Sequence, residues 1–113
     1  KNFKFVEENI QIRRLDSFNL KPDIIKVDTE GSEFEVIKSA IKTIKKYKPI
    51  LIIEYNHKNF KNVKKVMSKI GYKCYLYENN SFKNLDKKTI NELKYKSNAT
   101  KPFKPSYLKF FRS

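Results

Sequence analysis

The 113-residue sequence predicts an α/β fold that is built around a parallel βαβ unit. Two short apolar runs carry this prediction, Ile-Ile-Lys-Val at 24–27 and Ile-Leu-Ile-Ile at 50–53. Both have the length and the β-branched composition of strands that lie buried in a parallel sheet. Apolar residues at helical spacing lie between them. Strand, helix and strand within about 30 residues are typical of a βαβ unit.

The first twenty residues predict only short elements. Residues 1–12 alternate loosely between apolar and polar positions, which predicts one or two short strands through Phe3, Phe5, Ile10 and Ile12. Residues 15–20 predict a helical turn that Asp16 or Ser17 would cap. Pro22 then separates this turn from the first central strand.

A helix is predicted to follow Gly31, a residue that permits a tight turn. Ser32 and Glu35 have the spacing of a capping box, which predicts the start of this helix. One continuous helix would bury a stripe made of Phe34, Ile37, Ala40, Ile41 and Ile44. Pro49 closes the segment before the second apolar run.

The second half predicts another helix and a hairpin. Residues 60–70 form an amphipathic pattern that ends at Gly71, with an apolar face of Phe60, Val63, Val66, Met67 and Ile70. Residues 72–77 alternate as a strand, and Cys74 falls at a packing position. Asn79 and Asn80 can form a tight turn, so that residues 81–85 would pair back as an antiparallel hairpin.

The C-terminal region predicts a short helix and a tail. Asp86 can cap a helix that runs to about Tyr95. Residues 96–113 form a basic, aromatic tail with no regular element before Pro105. Its aromatic residues would pack on the domain or remain disordered, and the alternative is contact with single-stranded nucleic acid or a membrane surface.

Composition restricts the class of protein. The net charge of +14 permits a small basic nucleic-acid-binding module without catalytic activity, but the lysines are spread along the chain as on a solvated surface. The single cysteine excludes an internal disulfide. No apolar run approaches the roughly 18 residues of a membrane span and no signal peptide is recognisable, so we predict a cytoplasmic protein without a membrane span.

Residues 23–38, Asp-Ile-Ile-Lys-Val-Asp-Thr-Glu-Gly-Ser-Glu-Phe-Glu-Val-Ile-Lys, resemble the "IKIDVEGAE-x-x-VLKGA" signature of FkbM-family methyltransferases. Residues 15–18 resemble the family's "LD-x-L" segment, residues 49–54 its "P-x-[LI]-x-x-E" strand, and residues 71–72 its "GY". The resemblance covers about residues 10–78, roughly the C-terminal half of such a catalytic domain. It implies a transferase that uses S-adenosylmethionine.

The resemblance implies the C-terminal half of a Rossmann-like class I methyltransferase fold, with βαβ units and an antiparallel edge hairpin. Residues 1–95 would form a partial domain without the N-terminal cofactor-loop half, and residues 96–113 the tail. The two glycines, Gly31 and Gly71, cannot form a G-x-G-x-x-G loop, so the cofactor-binding residues are left unassigned. We expect this chain to be inactive alone, and its oligomeric state is left open. A third possibility is that it only adds sheet and helices to a partner chain.

The resemblance also gives the candidate catalytic residues, Asp28, Glu30 and Glu54. All three follow the carboxyl ends of predicted parallel strands, the edge at which α/β sheets bind ligands. The implied reaction is methylation of an oxygen, with a sugar, glycan or other small-molecule hydroxyl as acceptor. Asp28 at the end of the central strand could face donor and acceptor together.

Each candidate also has a structural alternative. Asp28 could accept turn amides, Glu30 could be a solvated turn residue, and Glu54 could pair with a lysine. Carboxylates at these three positions would suit Mg²⁺, although their spacing is not diagnostic, and we predict no metal site. His57, just after the second strand, is a further candidate base.

Overall fold

The computed structural model describes residues 3–78, 80–97 and 107–112. A 3₁₀ turn, Leu15–Phe18, precedes the regular elements. The helices are α1 Glu33–Ser39, α2 Ile41–Tyr47, α3 Phe60–Lys69 and α4 Lys87–Ser97. The strands are β1 Ile24–Val27, β2 Ile50–Glu54, β3 Tyr72–Glu78, β4 Ser81–Asn84 and β5 Tyr107–Arg112.

The five strands form one mixed sheet in the order β1-β2-β5-β3-β4. Strands β1 and β2 are parallel, and α1 and α2 connect them, so the predicted α/β class and its βαβ unit are confirmed. The predicted hairpin is also confirmed, since β3 and β4 pair antiparallel at the edge of the sheet. Asn80 adopts φ 59° in its turn, while Asn79 lies outside the described residues.

Strand β5 comes from the segment that the sequence predicts as a tail. It lies between β2 and β3 and is antiparallel to both. Phe110 pairs with Leu51 on one side and Cys74 on the other, and only 1% of its surface is exposed. Packing of the tail on the domain is therefore confirmed for Phe110. Its place inside the sheet is a feature that the sequence analysis did not predict.

The prediction of one helix between β1 and β2 is wrong, because the chain breaks at Ala40. Ala40 has φ −111° and ψ 4°, and its N–H donates to the Ile37 carbonyl instead of continuing the α-helical ladder. The carboxylate of Asp16 then accepts the backbone N–H groups of Lys42 and Thr43 at 3.2 and 2.9 Å. Asp16 thus satisfies the start of α2 from a distant turn.

The predicted capping box is wrong as well. The Ser32 side chain makes no capping hydrogen bond to α1, and its backbone has φ −102° and ψ 17°. The carboxylate of Glu33 faces back to the preceding turn and accepts the Gly31 N–H instead. The predicted caps of the Leu15–Phe18 turn are also wrong, since Arg14 occupies its N-cap position. Asp86, in contrast, accepts the Thr89 N–H at 2.7 Å and starts α4 as predicted.

The hydrophobic core lies between the sheet and the helices. Both predicted helical faces contribute to it, and strand β3 adds Tyr72 and Leu76. The buried members from the helices and from the break between α1 and α2 are Ile37, Ala40, Ile44, Phe60, Val63 and Met67. Cys74 packs against this core, which confirms its predicted packing position. Burial raises the pKa of its thiol to about 12, so the thiol stays protonated at neutral pH.

The N-terminal segment differs from its prediction. Residues 3–12 form no helix or strand, and their large apolar side chains, Phe3, Phe5, Val6, Ile10 and Ile12, are 77–92% exposed. An apolar alternation makes a strand only where another strand pairs with it, and none does so here among the described residues. Strand β1 is likewise less buried than predicted, since Ile24 is 60% exposed at the sheet edge. No helix in the described ranges is long and apolar enough to cross a membrane.

Candidate active site

Two predicted site residues meet at the carboxyl ends of β1 and β2. The parallel register pairs Val27 with Ile53, so Asp28 and Glu54 follow at equivalent positions. Asp28 lies just beyond the last residue of β1, whereas Glu54 is the last residue of β2. Their carboxyl groups form a hydrogen bond, and Asp28 is exposed while Glu54 is half-buried. The two side chains are therefore one carboxyl pair that solvent can reach.

The contact between the two carboxyls changes the pKa of Glu54. The hydrogen bond with Asp28 raises the pKa of Glu54 to about 7, and burial and the negative charges of Asp28, Glu33 and Glu30 act in the same direction. The hydrogen bond favours the protonated form of Glu54, and repulsion between neighbouring carboxylates adds to this effect, so Glu54 keeps its proton until the solution is nearly neutral. This arrangement can accept or release a proton near neutral pH.

The turn after β1 has an unusual backbone. Glu30 has φ 52° and Gly31 has φ 118°, and the second value is one that glycine adopts without strain. A Cβ atom at Gly31 would lie 3.8 Å from the Asn56 side-chain nitrogen, so the turn runs close to the loop that follows β2. Glu30 is exposed in this turn, and its charge contributes to the raised pKa of Glu54.

Glu33 is the buried acid of the site, with only 1% of its surface exposed. The Gly31 N–H donates to its two carboxylate oxygens at 3.2 and 3.1 Å. The Asn59 side-chain amide donates to Glu33 Oε2 at 2.7 Å and to the Gly31 carbonyl at 3.2 Å. Burial alone would raise the pKa of Glu33, but hydrogen bonds from Asn59 and from backbone N–H groups outweigh it and lower the pKa. Glu33 is therefore a buried, ionised carboxylate.

The structure answers two of the structural alternatives. The Glu54 carboxyl forms a hydrogen bond with Asp28, and no lysine is seen to pair with it among the described residues. The carboxylate that accepts the amide of the Gly31 turn is Glu33 rather than Asp28. Glu30 occupies the turn, and His57 lies half-buried between β2 and α3. The catalytic roles of Asp28, Glu30, Glu54 and His57 stay predictions.

Sequence reasoning missed Glu33 and Asn59 as site residues. Glu33 carries a signal that could have found it, because it lies inside the family signature two residues after Gly31. Asn59 carries none, since a single asparagine ahead of a helix is usually a cap. Within the described ranges, no three His, Cys, Asp or Glu residues are grouped so that they could hold a metal ion.

The sheet presents a carboxyl pair that solvent can reach at the carboxyl ends of two parallel strands. This arrangement is typical of a ligand-binding α/β enzyme domain. The comparison with protein-family models identifies the family within this class. The family model described as Methyltransferase FkbM domain matches residues 2–74, more than half of the chain. The chain therefore belongs to the FkbM methyltransferase family, and a cofactor of the S-adenosylmethionine type is implied. No curated protein and no solved structure matches it.

Proposed function

We propose that this chain supplies the acceptor side of an S-adenosylmethionine-dependent O-methyltransferase, with a sugar or another small-molecule hydroxyl as acceptor. The observation that carries the proposal is the contact of the Asp28 and Glu54 carboxyls at the ends of the two parallel strands, where the pKa of Glu54 is about 7. Attack by a hydroxyl oxygen needs a group that takes its proton at neutral pH, and such a pair has the right pKa for this step.

The strand arrangement supports a Rossmann-like class I methyltransferase fold, of which this chain would form the C-terminal half. Two parallel strands joined by helices are followed by an antiparallel β5 next to β2. The ligand edge of such a sheet lies at the carboxyl ends of its parallel strands, where Asp28 and Glu54 stand.

The acidic side chains at this edge of the sheet fit the implied cofactor. The chain carries 26 basic and 12 acidic residues, yet Asp28, Glu30 and Glu33 lie close together between the end of β1 and the start of α1, with Glu54 beside them. This acidic edge suits a sulfonium cation, and the exposed carboxylates of Asp28 and Glu30 would face its charge. When bound, S-adenosylmethionine supplies an electrophilic methyl group. The remaining cofactor contacts are not assigned to residues of this chain.

The residues of this chain act on the acceptor proton. Below about pH 7 the Glu54 carboxyl of the pair holds a proton next to Asp28. Above this pH Glu54 is ionised, and the acceptor hydroxyl can donate a hydrogen bond to the exposed Asp28 and release its proton to the carboxyl pair. The hydrogen bond between the two side chains then favours the protonated form of Glu54, which holds the proton.

The test is a methyl-transfer assay on the protein in its full natural length, with labelled S-adenosylmethionine and a panel of sugar and other small-molecule hydroxyl acceptors. Asp28→Asn keeps the shape of the side chain but removes the base, so we expect turnover to fall by about 10²- to 10⁴-fold. Wild-type turnover should rise with pH through about 7, where the pair loses its proton.

Glu35→Gln is the matched control, because Glu35 is an exposed acid on the neighbouring helix α1. This variant should retain wild-type turnover. Near-wild-type turnover in Asp28→Asn would exclude the carboxyl pair as the base. Transfer only to amine acceptors would retain the methyltransferase but overturn the hydroxyl assignment.

A further inference from the structure

Asp28 lies outside the regular sheet, so strand pairing alone does not hold its side chain against Glu54. Strand β1 ends at Val27, so the backbone of Asp28 belongs to the turn that runs through Glu30 and Gly31. The pairing of β1 with β2 fixes residues only up to Val27 and Ile53. The direction of the Asp28 side chain therefore depends on the conformation of the turn.

Two side chains hold that turn in place. Glu33 accepts the Gly31 N–H with both carboxylate oxygens, and Asn59 donates both to Glu33 Oε2 and to the Gly31 carbonyl. Asn59 comes from the start of α3, after the loop that follows β2. These hydrogen bonds form a cross-link between the two loops that carry the site, and we call it the Glu33–Asn59 clamp.

Burial makes the clamp rigid. Glu33 is 1% exposed, so water does not compete well for its carboxylate. An ionised acceptor also forms stronger hydrogen bonds than a neutral one. The 2.7 Å distance between Asn59 Nδ2 and Glu33 Oε2 agrees with a strong, charge-assisted bond.

We propose that Glu33 and Asn59 are positioning residues, and that their clamp fixes the Gly31 turn so that the Asp28 and Glu54 carboxyls stay in contact. The inference rests on the proposed function, in which that contact forms the base. Neither residue touches the carboxyl pair through a hydrogen bond in the described part of the chain, so both act through the turn.

Asn59 is the better residue to change, since it carries no charge. Replacement of Glu33 would remove a negative charge that itself raises the pKa of Glu54. Asn59→Leu removes the amide donor and leaves the charge of Glu33 in place. A change in the pKa of Glu54 in this variant would then report the geometry of the turn.

The experiment is a pH titration of the side-chain carboxyl ¹³C signals in the 113-residue chain and in Asn59→Leu. The wild-type chain should show Glu54 with a pKa of about 7. In Asn59→Leu we expect this pKa to fall to about 5–6, because Asp28 no longer stays in contact with Glu54. The Glu33 signal in the same spectra checks that Glu33 remains ionised over that pH range.

Asn62→Leu is the matched control, because Asn62 is an exposed asparagine on the same helix. It should leave the pKa of Glu54 near 7. If Asn59→Leu does not fold, Asn59→Ser serves instead, since a serine hydroxyl can donate to only one of the two acceptors. It should lower the pKa of Glu54 by a smaller amount.

The outcomes separate the two proposals. A wild-type Glu54 that titrates near 4.5 would mean that no shared-proton pair exists, and the proposed function would fail together with the clamp. A wild-type pKa near 7 that stays unchanged in a folded Asn59 variant would overturn the clamp alone. A lower pKa of Glu54 in Asn59→Leu, together with an unchanged pKa of Glu54 in Asn62→Leu, supports the clamp.

Discussion

At the scale of single residues, a carboxyl group that meets another carboxyl must keep a proton or move away. Glu54 keeps its proton, because Asp28 lies within hydrogen-bond distance and Glu33 and Glu30 add negative charge nearby. Glu33 behaves in the opposite way although it is more buried, since donors from Gly31 and Asn59 surround it. The partners of an acid therefore decide its charge more than its burial does.

The raised pKa of Glu54 predicts a pH-dependent stability. Glu54 has a pKa of about 7 in the folded chain against 4.5 as its ordinary value, so the folded state holds a proton that the unfolded state has lost between these pH values. This contribution is complete below pH 4.5 and is lost as the pH rises through about 7. In Glu54→Gln the loss should disappear, which makes this variant more stable than wild type at pH 8 by about 1–2 kcal/mol after solvent screening.

Urea unfolding at intervals from pH 4.5 to 8 measures this difference in the free energy of unfolding. Glu35→Gln, with an exposed side chain on α1, should follow the wild-type pH dependence closely. Parallel curves for wild type and Glu54→Gln would contradict the shared proton.

At the scale of elements, the connection between β1 and β2 depends on a residue that precedes both strands. Asp16 lies in the Leu15–Phe18 turn and accepts the N–H groups of Lys42 and Thr43 and the Thr43 hydroxyl. The break at Ala40 leaves the first N–H groups of α2 without helical partners, and Asp16 supplies an acceptor for them. The turn and the helix therefore stabilise each other.

Asp16→Ala should cost about 0.5–2 kcal/mol in the free energy of unfolding, the usual effect of losing a helix cap. Burial raises the pKa of Asp16, but hydrogen bonds from Thr43 and Lys42 and the charge of Arg14 outweigh it and lower the pKa. The stabilisation is therefore present above pH 3.8, its ordinary value, and is lost as the pH falls through the lower value of the folded state.

The measurement is the free energy of unfolding of wild type and Asp16→Ala at pH 7 and at pH 3. Asp23→Ala is the control, because Asp23 is an exposed aspartate in the loop before β1, and it should change stability by less than about 0.5 kcal/mol. Equal stability of Asp16→Ala and wild type at pH 7 would show that the bonds to α2 contribute nothing.

At the scale of the whole molecule, the sheet is completed by the last strand of the chain. Strand β5 joins β2 to β3, so the βαβ unit and the β3–β4 hairpin form one sheet only through residues 107–112. Phe110 lies at the centre of this junction, opposite Leu51 and Cys74. Nucleic-acid binding and assembly with a partner chain stay predictions.

Phe110→Ala should therefore destabilise the whole domain rather than a terminal segment. Truncation of a buried phenylalanine costs about 3–5 kcal/mol, and the side chain here is 1% exposed. Thermal unfolding should show one cooperative transition at a lower midpoint, because loss of β5 separates the two parts of the sheet.

Phe82→Ala is the control, since Phe82 is 53% exposed on the edge strand β4. Its effect should stay below that of Phe110→Ala by at least about 2 kcal/mol. An unchanged midpoint in Phe110→Ala would mean that β5 is not part of the stable core.

The sequence by itself determined the elements whose signals are local. The apolar runs of β1 and β2 and the stripe of α3 follow from the periodicity of a few neighbouring residues, and the structure has them close to their predicted bounds. The meeting of Asp28 with Glu54 could also be predicted, because two parallel strands place their carboxyl ends at one edge. The family signature supplied the rest of the functional prediction.

Only the tertiary structure decided the features whose partners lie far apart in the chain. The bonds of Asp16 to Thr43 and of Glu33 to Asn59 join residues 27 and 26 positions apart, so no local pattern contains both partners. The insertion of β5 next to β2 could not be predicted for the same reason, because these two strands lie even farther apart in the chain. The charge of Glu54 depends in turn on Asp28, which comes close only once the sheet has formed. Periodicity therefore predicts elements, while contacts between distant residues set the helix break, the order of the strands and the protonation of the site.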